Sequence, residues 1–220
     1  MLYIRQARCG RFNGPAYSVY MNDVKPSALL GRTAFIAALM LPAMASAHPG
    51  LHGHTHGFAN GLAHPFSGLD HFLAMTAVGL WAVQRGGKAI WMMPLAFISV
   101  MALGGMLGMA GFGQFPMIDQ AIAASVLIMG IFIATATRMP AAPGIFIIGL
   151  FAMFHGYAHG AEMPATASGL MYGLGFVLAT AILHALGISI GVAAQRMNAM
   201  KMVRAAGYII AVCGIGLFFS

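Results

Sequence analysis

Residues 89–109 read AIWMMPLAFISVMALGGMLGM, twenty-one positions without a charged side chain. About 20 apolar residues in a row cross the hydrocarbon core of a bilayer as an α-helix. Before this stretch stands Arg85-Gly86-Gly87-Lys88, and after it Gly111-Phe112-Gly113-Gln114, both polar and glycine-rich. The alternation repeats along the chain, with further apolar segments at 69–84, 119–137, 143–159, 168–194 and 203–219. Pro140, Pro164 and Asn198 mark other gaps between them. The pattern predicts an all-α, polytopic membrane bundle of six transmembrane helices.

Composition points the same way. Hydrophobic residues make up 60% of the 220, and charged ones only 7%, against roughly 25% in a soluble domain. A chain this apolar has lipid as its solvent. Its net charge of +7 and isoelectric point near 9.9 resemble the electrostatic footprint of a nucleic-acid binder. The basic residues are instead scattered through short gaps between spans, so the bilayer, not nucleic acid, is the partner they indicate. Homo-oligomerisation stays open. Cys9 and Cys213 lie at opposite ends of the chain and suggest no disulfide framework.

Ahead of the spans, Lys25 and Arg32 flank a short apolar core from Thr33 to Met44, followed by Ala45-Ser46-Ala47. A basic flank, a short core and a small-x-small site are the parts of a cleavable secretory signal. Residues 1–47 therefore read as an N-terminal extension plus signal peptide, with Met21 as an alternative start, and residues 48–220 as the membrane domain. Cleavage after Ala47 leaves His48 as the mature N-terminus, outside the cell's inner membrane.

With that end outside, the first, third and fifth gaps face the cytoplasm. They hold Arg85 and Lys88, then Arg138, then Arg196, Lys201 and Arg204, which are all the Lys and Arg residues after position 47. This is the positive-inside distribution. Asp70, Asp119 and Glu162 all fall at the opposite, external ends.

At that external face the histidines cluster. His64-Pro65-Phe66-Ser67-Gly68-Leu69-Asp70-His71 opens the first span, and Pro65 and Gly68 discourage a continuous helix there. His64 is thus expected to fold back over Asp70 and His71. Phe154-His155-Gly156-Tyr157-Ala158-His159-Gly160-Ala161-Glu162 ends the fourth span. His155 and His159 share a helical face one turn apart, and Glu162 continues the stripe if the helix persists. Ionisable groups at membrane depth are costly and mark functional paths. Imidazoles with carboxylates form a partial shell for a borderline divalent metal. The two groups are expected to join by packing of the first span against the fourth.

Weaker candidates are His184, deep in the fifth span, which is either a relay ligand or a hydrogen-bonded packing residue, and Asp119, which reads equally as a helix-dipole partner. His52, His54 and His56 alternate in a glycine-rich segment and suit either loose metal capture or a polar tail. The fifteen methionines after residue 47 are read as apolar filler rather than as copper ligands. Gly104-x-x-x-Gly108, Gly169-x-x-x-Gly173 and Gly187-x-x-x-Gly191 are read as helix-packing patterns.

The two histidine groups resemble the signatures of the HupE/UreJ family of nickel permeases. Its H-P-x-x-G-x-D-H motif is matched at His64, Pro65, Gly68, Asp70 and His71. Its F-H-G-x-A-H-G-x-E motif is matched at Phe154, His155, Gly156, Ala158, His159, Gly160 and Glu162. The resemblance implies secondary uptake of Ni2+, with Co2+ the second candidate, for hydrogenase or urease maturation. It implies a transported ion rather than a required cofactor, and no enzymatic activity. His48, His64, Asp70, His71, His155, His159 and Glu162 are then the leading metal ligands. Two rivals remain: an intramembrane zinc hydrolase, and a metal-binding accessory protein that does not transport.

Two outcomes are expected from the sequence. Intact mass of membrane-purified protein should correspond to a chain starting at His48, and a mass retaining 21–47 would refute the cleavage. Metal binding displaces protons from imidazole, so uptake should weaken below about pH 6, given a reference histidine pKa of about 6.5. Flat uptake from about pH 7.5 to 5.5 at fixed free metal would refute histidine-led capture.

Overall fold

The computed structural model describes residues 57–113, 115–163 and 168–220. The expected signal segment, the start at His48, and His52, His54 and His56 lie outside the described residues. Seven helices follow in order: α1 (Gly57–Ser67), α2 (Leu69–Arg85), α3 (Ala89–Met109), α4 (Ile118–Thr135), α5 (Ala141–Ala161), α6 (Gly169–Arg196) and α7 (Met200–Phe218). No strand occurs among the described residues.

Helices α3 to α7 are each long and apolar enough to cross a membrane. Alone, α2 is 17 residues long; with α1 it makes a sixth candidate span, bent by 80° at the break. The helix preceding the break was not expected from the sequence. The break itself was, and its cause is local. Pro65 lacks an N–H, and Gly68 sits extended at φ −91°, ψ 121° as the N-cap of α2.

The register of close contacts gives the sense of each crossing. A Cβ on Gly104 of α3 would fall 2.5 Å from the Met153 carbonyl oxygen of α5, and one on Gly108 2.3 Å from that of Tyr157. Residue numbers rise together, so α3 and α5 run parallel. The same holds for α2 and α6, where Gly79 abuts the His184 carbonyl and Gly191 abuts Val83. Between α4 and α7 the numbers run oppositely, with Gly130 on Ala211 and Gly214 on Leu127. This is what a chain crossing once per segment requires. It is also a chain that packs through missing side chains, because lipid supplies no hydrophobic drive between helices and backbones must approach closely to gain contact.

Helix α2 lies at the centre. All thirteen residues from His71 to Val83 are buried, so it has no face to lipid or water. The perimeter is carried by α3 and α7, where Trp91, Leu95, Ile209 and Val212 are exposed large apolar side chains.

At the basic end, side chains satisfy helix-terminal carbonyls. Arg204 Nε donates to the Ala134 carbonyl at 2.8 Å, Gln84 to Ile133 at 3.1 Å, Trp81 to Thr137 at 3.2 Å and Gln195 to Val83 at 3.2 Å. Such bonds matter because the last carbonyls of a helix have no intrahelical partner.

One expectation is corrected. Backbones of α2 and α5 do not pack against each other; α5 pairs with α3, and α6 with α2. The glycines decide this, since they lie on the α3–α5 and α2–α6 faces. Between α2 and α5 stand bulky rings, including Trp81, which reaches to 3.4 Å from a Cβ placed on Gly144. Those rings hold the backbones apart and leave room for side chains to meet.

The α3–α5 contact is testable. A Cβ on Gly156 would lie 1.9 Å from the Met101 carbonyl oxygen, whereas one on Gly149 meets nothing nearer than Val100 Cγ2 at 3.7 Å. Gly156→Ala should lower the thermal unfolding midpoint of detergent-purified protein sharply, in line with overpacking costs of about 1–3 kcal/mol or more. Gly149→Ala should leave it unchanged or slightly raised.

Candidate metal centre

The break at Gly68 brings the first histidine group together. Gly68 leaves room for the pair that follows it, since a Cβ there would fall 2.7 Å from Asp70 Oδ1 and 2.8 Å from His71 Nδ1. Asp70 Oδ1 accepts the His71 backbone N–H at 2.8 Å and also contacts His71 Nδ1. With Nδ1 held by the carboxylate, the His71 ring turns its Nε2 away from Asp70. Carboxylate–imidazole pairs of this kind fix the tautomer of metal-ligating histidines.

His71 Nε2 faces Nε2 of His159, which reaches in from α5. The His64 ring, carried on α1, lies 4.5 Å from that of His159 and 5.7 Å from that of His71, centre to centre. Ligand nitrogens of His64, His71 and His159 all lie within 4.8 Å of one another. His71 and His159 are 88 positions apart in the sequence, yet the fold makes one cluster of them with His64.

His155 stands one turn further along α5, its ring 5.3 Å from that of His71. Its Nδ1–H donates to the Phe151 carbonyl at 2.8 Å, leaving Nε2 buried without a partner. His159 Nδ1 is likewise buried and unpaired. A buried polar group left unsatisfied costs about 1–3 kcal/mol, so each of these two rings carries one nitrogen that packing alone does not explain. A divalent ion is one use for such unpaired nitrogens.

The other sequence candidates fall elsewhere. The helix carrying His155 and His159 ends at Ala161, and Glu162 is its C-cap, exposed and outside the triad. The Glu162 N–H still closes the last turn on the Ala158 carbonyl at 2.9 Å, so its backbone follows the helix while its side chain is exposed. Asp119 is exposed in the first turn of α4. His184 is 1% exposed on α6, deeper than the cluster.

Several neighbours of the cluster were not singled out from the sequence. Phe176 of α6 lies 4.4 Å from the His159 ring and 6.1 Å from that of His64, and Tyr172 lies 6.4 Å from His64. Phe97 of α3 packs on His155 at 5.7 Å. A cavity of about 220 Å³ opens beside His159, lined by Met101, Met106, Gly156, Leu170, Tyr172 and Phe176 among others. Nothing in the local sequence distinguishes these aromatics from ordinary apolar filler.

The sequence profile described as HupE / UreJ protein matches residues 36–217. Protein HupE of Rhizobium leguminosarum bv. viciae is 46% identical over 187 residues, covering 84% of this chain and 95% of the relative. No solved structure matches the chain. With the family profile spanning both histidine groups and every helix that positions them, the chain belongs to the HupE/UreJ family.

Proposed function

We propose that this multi-pass membrane protein is an uptake permease for a divalent transition metal, Ni2+ in the first instance and Co2+ in the second. It would carry the ion from the periplasm across the inner membrane to the cytoplasm, where hydrogenase or urease maturation consumes it. The observation that carries the reading is the convergence of His64, His71 and His159, with His155 next along the same helix. Neutral imidazoles with one carboxylate behind them suit a borderline divalent ion, whereas a site for Mg2+ or Ca2+ would be built from oxygen atoms.

The chemistry follows from the arrangement. Glu162 and Asp119, both exposed at the acidic end, attract the hydrated cation. His64, the least buried of the triad, meets it first and exchanges water for nitrogen. His71 and His159 then hold it through their facing Nε2 atoms. Asp70 stays on His71 Nδ1 and keeps that ring aligned. Few ligands and no closed tetrahedral cage leave the ion exchangeable, as conduction requires. With no phosphate-loop motif in the chain, ATP hydrolysis is not encoded in it.

A second reading is favoured by one observation. The cavity beside His159 has an apolar lining and a rim that includes the exposed Met106 and Leu170. A zinc ion on three histidines next to such a space could serve an intramembrane hydrolase acting on a lipid-like substrate.

Uptake of radioactive nickel by proteoliposomes separates the readings. The wild type should accumulate metal inside, and His71→Ala and His159→Ala should each abolish high-affinity uptake while remaining in the membrane. The double variant should be no worse than either single one, because the two rings act on one ion. Glu162→Gln should lose uptake chiefly at low external metal. Wild-type liposomes that bind nickel without accumulating it would refute the permease and bring the hydrolase forward.

A further inference from the structure

His184 belongs to neither histidine motif, and the outer cluster makes no use of it. It is among the largest fully buried side chains, and neither of its ring nitrogens has a hydrogen-bond partner. A packing histidine would be expected to hold a backbone carbonyl, as His155 does one turn from Phe151. His184 holds none.

Its position is defined by its neighbours. The His184 carbonyl abuts Gly79, eight residues along α2 from His71, which at 1.5 Å per residue is about 12 Å deeper. Its ring lies 5.1 Å from Phe97 in an edge-on arrangement, and Phe97 lies 5.7 Å from His155 on the way back to the cluster. Phe97 is itself 1% exposed. A single buried aromatic ring therefore stands between the unpaired Nε2 of His155 and the unpaired nitrogens of His184.

The same two helices supply a soft thioether and a hydroxyl one turn towards the cluster. Met101, four residues after Phe97 on α3, has its Sδ 3.6 Å from Thr180 Oγ1, and Thr180 precedes His184 by four residues on α6. Both are buried, and the Thr76 hydroxyl of α2 is buried without a partner as well.

We propose that His184 is the ligand of a second, inner station for the divalent ion, separated from the outer cluster by the Phe97 ring. The proposal rests on the permease reading for its purpose, though not for its ligand chemistry. The outer cluster offers several imidazoles and holds the ion more firmly. The inner station offers one imidazole, with Met101 and Thr180 nearby, and holds it weakly. An ion leaving His155 thus has a nitrogen to reach once the Phe97 side chain turns aside, instead of facing bare hydrocarbon. A weaker inner site after a stronger outer one is also the order that permits release.

The test uses full-length protein in lipid nanodiscs titrated with Co2+, alongside nickel uptake in proteoliposomes. Wild type should bind a tight ion and a weaker second one. His184→Leu should keep the first, lose the second and cut uptake by about 10-fold or more, with an unfolding midpoint equal to or above wild type, because leucine fits an apolar site without unpaired nitrogens. His184→Cys should retain the second ion and add a thiolate-to-cobalt charge-transfer band in the near ultraviolet, absent from the wild type with its native Cys213. Wild-type binding and uptake in His184→Leu would overturn the proposal, as would His184→Cys without the new band. If the wild type accumulates no nickel at all, the permease reading fails. The loss of one cobalt site in His184→Leu then still supports the inner ligand, and retention of both sites overturns it.

Discussion

Helix α2 has no outside. From His71 to Val83 every residue is covered by protein, and the rest of the bundle is arranged to allow that. A helix so enclosed needs neighbours that come close, and Gly79 against the His184 carbonyl is where α6 reaches it. Because α2 never faces lipid, it can carry His71, Thr76 and Trp81 at depths where a perimeter helix carries only apolar side chains. At its outer end α1, bent 80° away, lays the His64 ring beside that of His159.

This placement sets the chemistry of the histidines. In water an imidazole always finds a partner, but inside a bundle its partners are whatever the fold provides. Here the fold provides a carboxylate to one nitrogen of His71 and a carbonyl to one nitrogen of His155. In both rings Nδ1 is engaged; Nε2 of His155 has no partner, and Nε2 of His71 faces that of His159. Under the proposed function, the second nitrogen of each ring is the one offered to the ion. On the α6 side the Tyr172 and Phe176 rings pack against those of His64 and His159.

The two ends of the bundle are built differently. At the basic end, Arg204, Gln84, Trp81 and Gln195 bind carbonyls of α2, α4 and the segment following α4, which ties the helices together. At the acidic end the carboxylates of Asp119 and Glu162 are exposed, and Tyr157 donates to the Gly113 carbonyl to anchor the segment above the cluster. A tied end and a charged, accessible end fit a molecule that receives a cation from one side.

Much was legible from the chain alone, and for a physical reason. Span positions follow from runs of apolar residues, because lipid acts on each helix separately, and the boundaries of α3, at 89–109, coincide with the apolar run. The break ahead of α2 was readable from Pro65 and Gly68, since both act through their own backbone. The spacing of His155 and His159 placed them on one face for the same local reason. What the sequence alone left open was every relation between helices. Pairing of α5 with α3 rather than with α2, the exposure of Glu162, and the alignment of Phe97 between His155 and His184 depend on which glycines face which neighbours. Those contacts join residues tens of positions apart, and no local periodicity records them. The sequence by itself determined a six-span histidine-bearing membrane helix bundle; only the tertiary structure decided which histidines meet, because side chains from separate helices converge only after close backbone packing has chosen the partners.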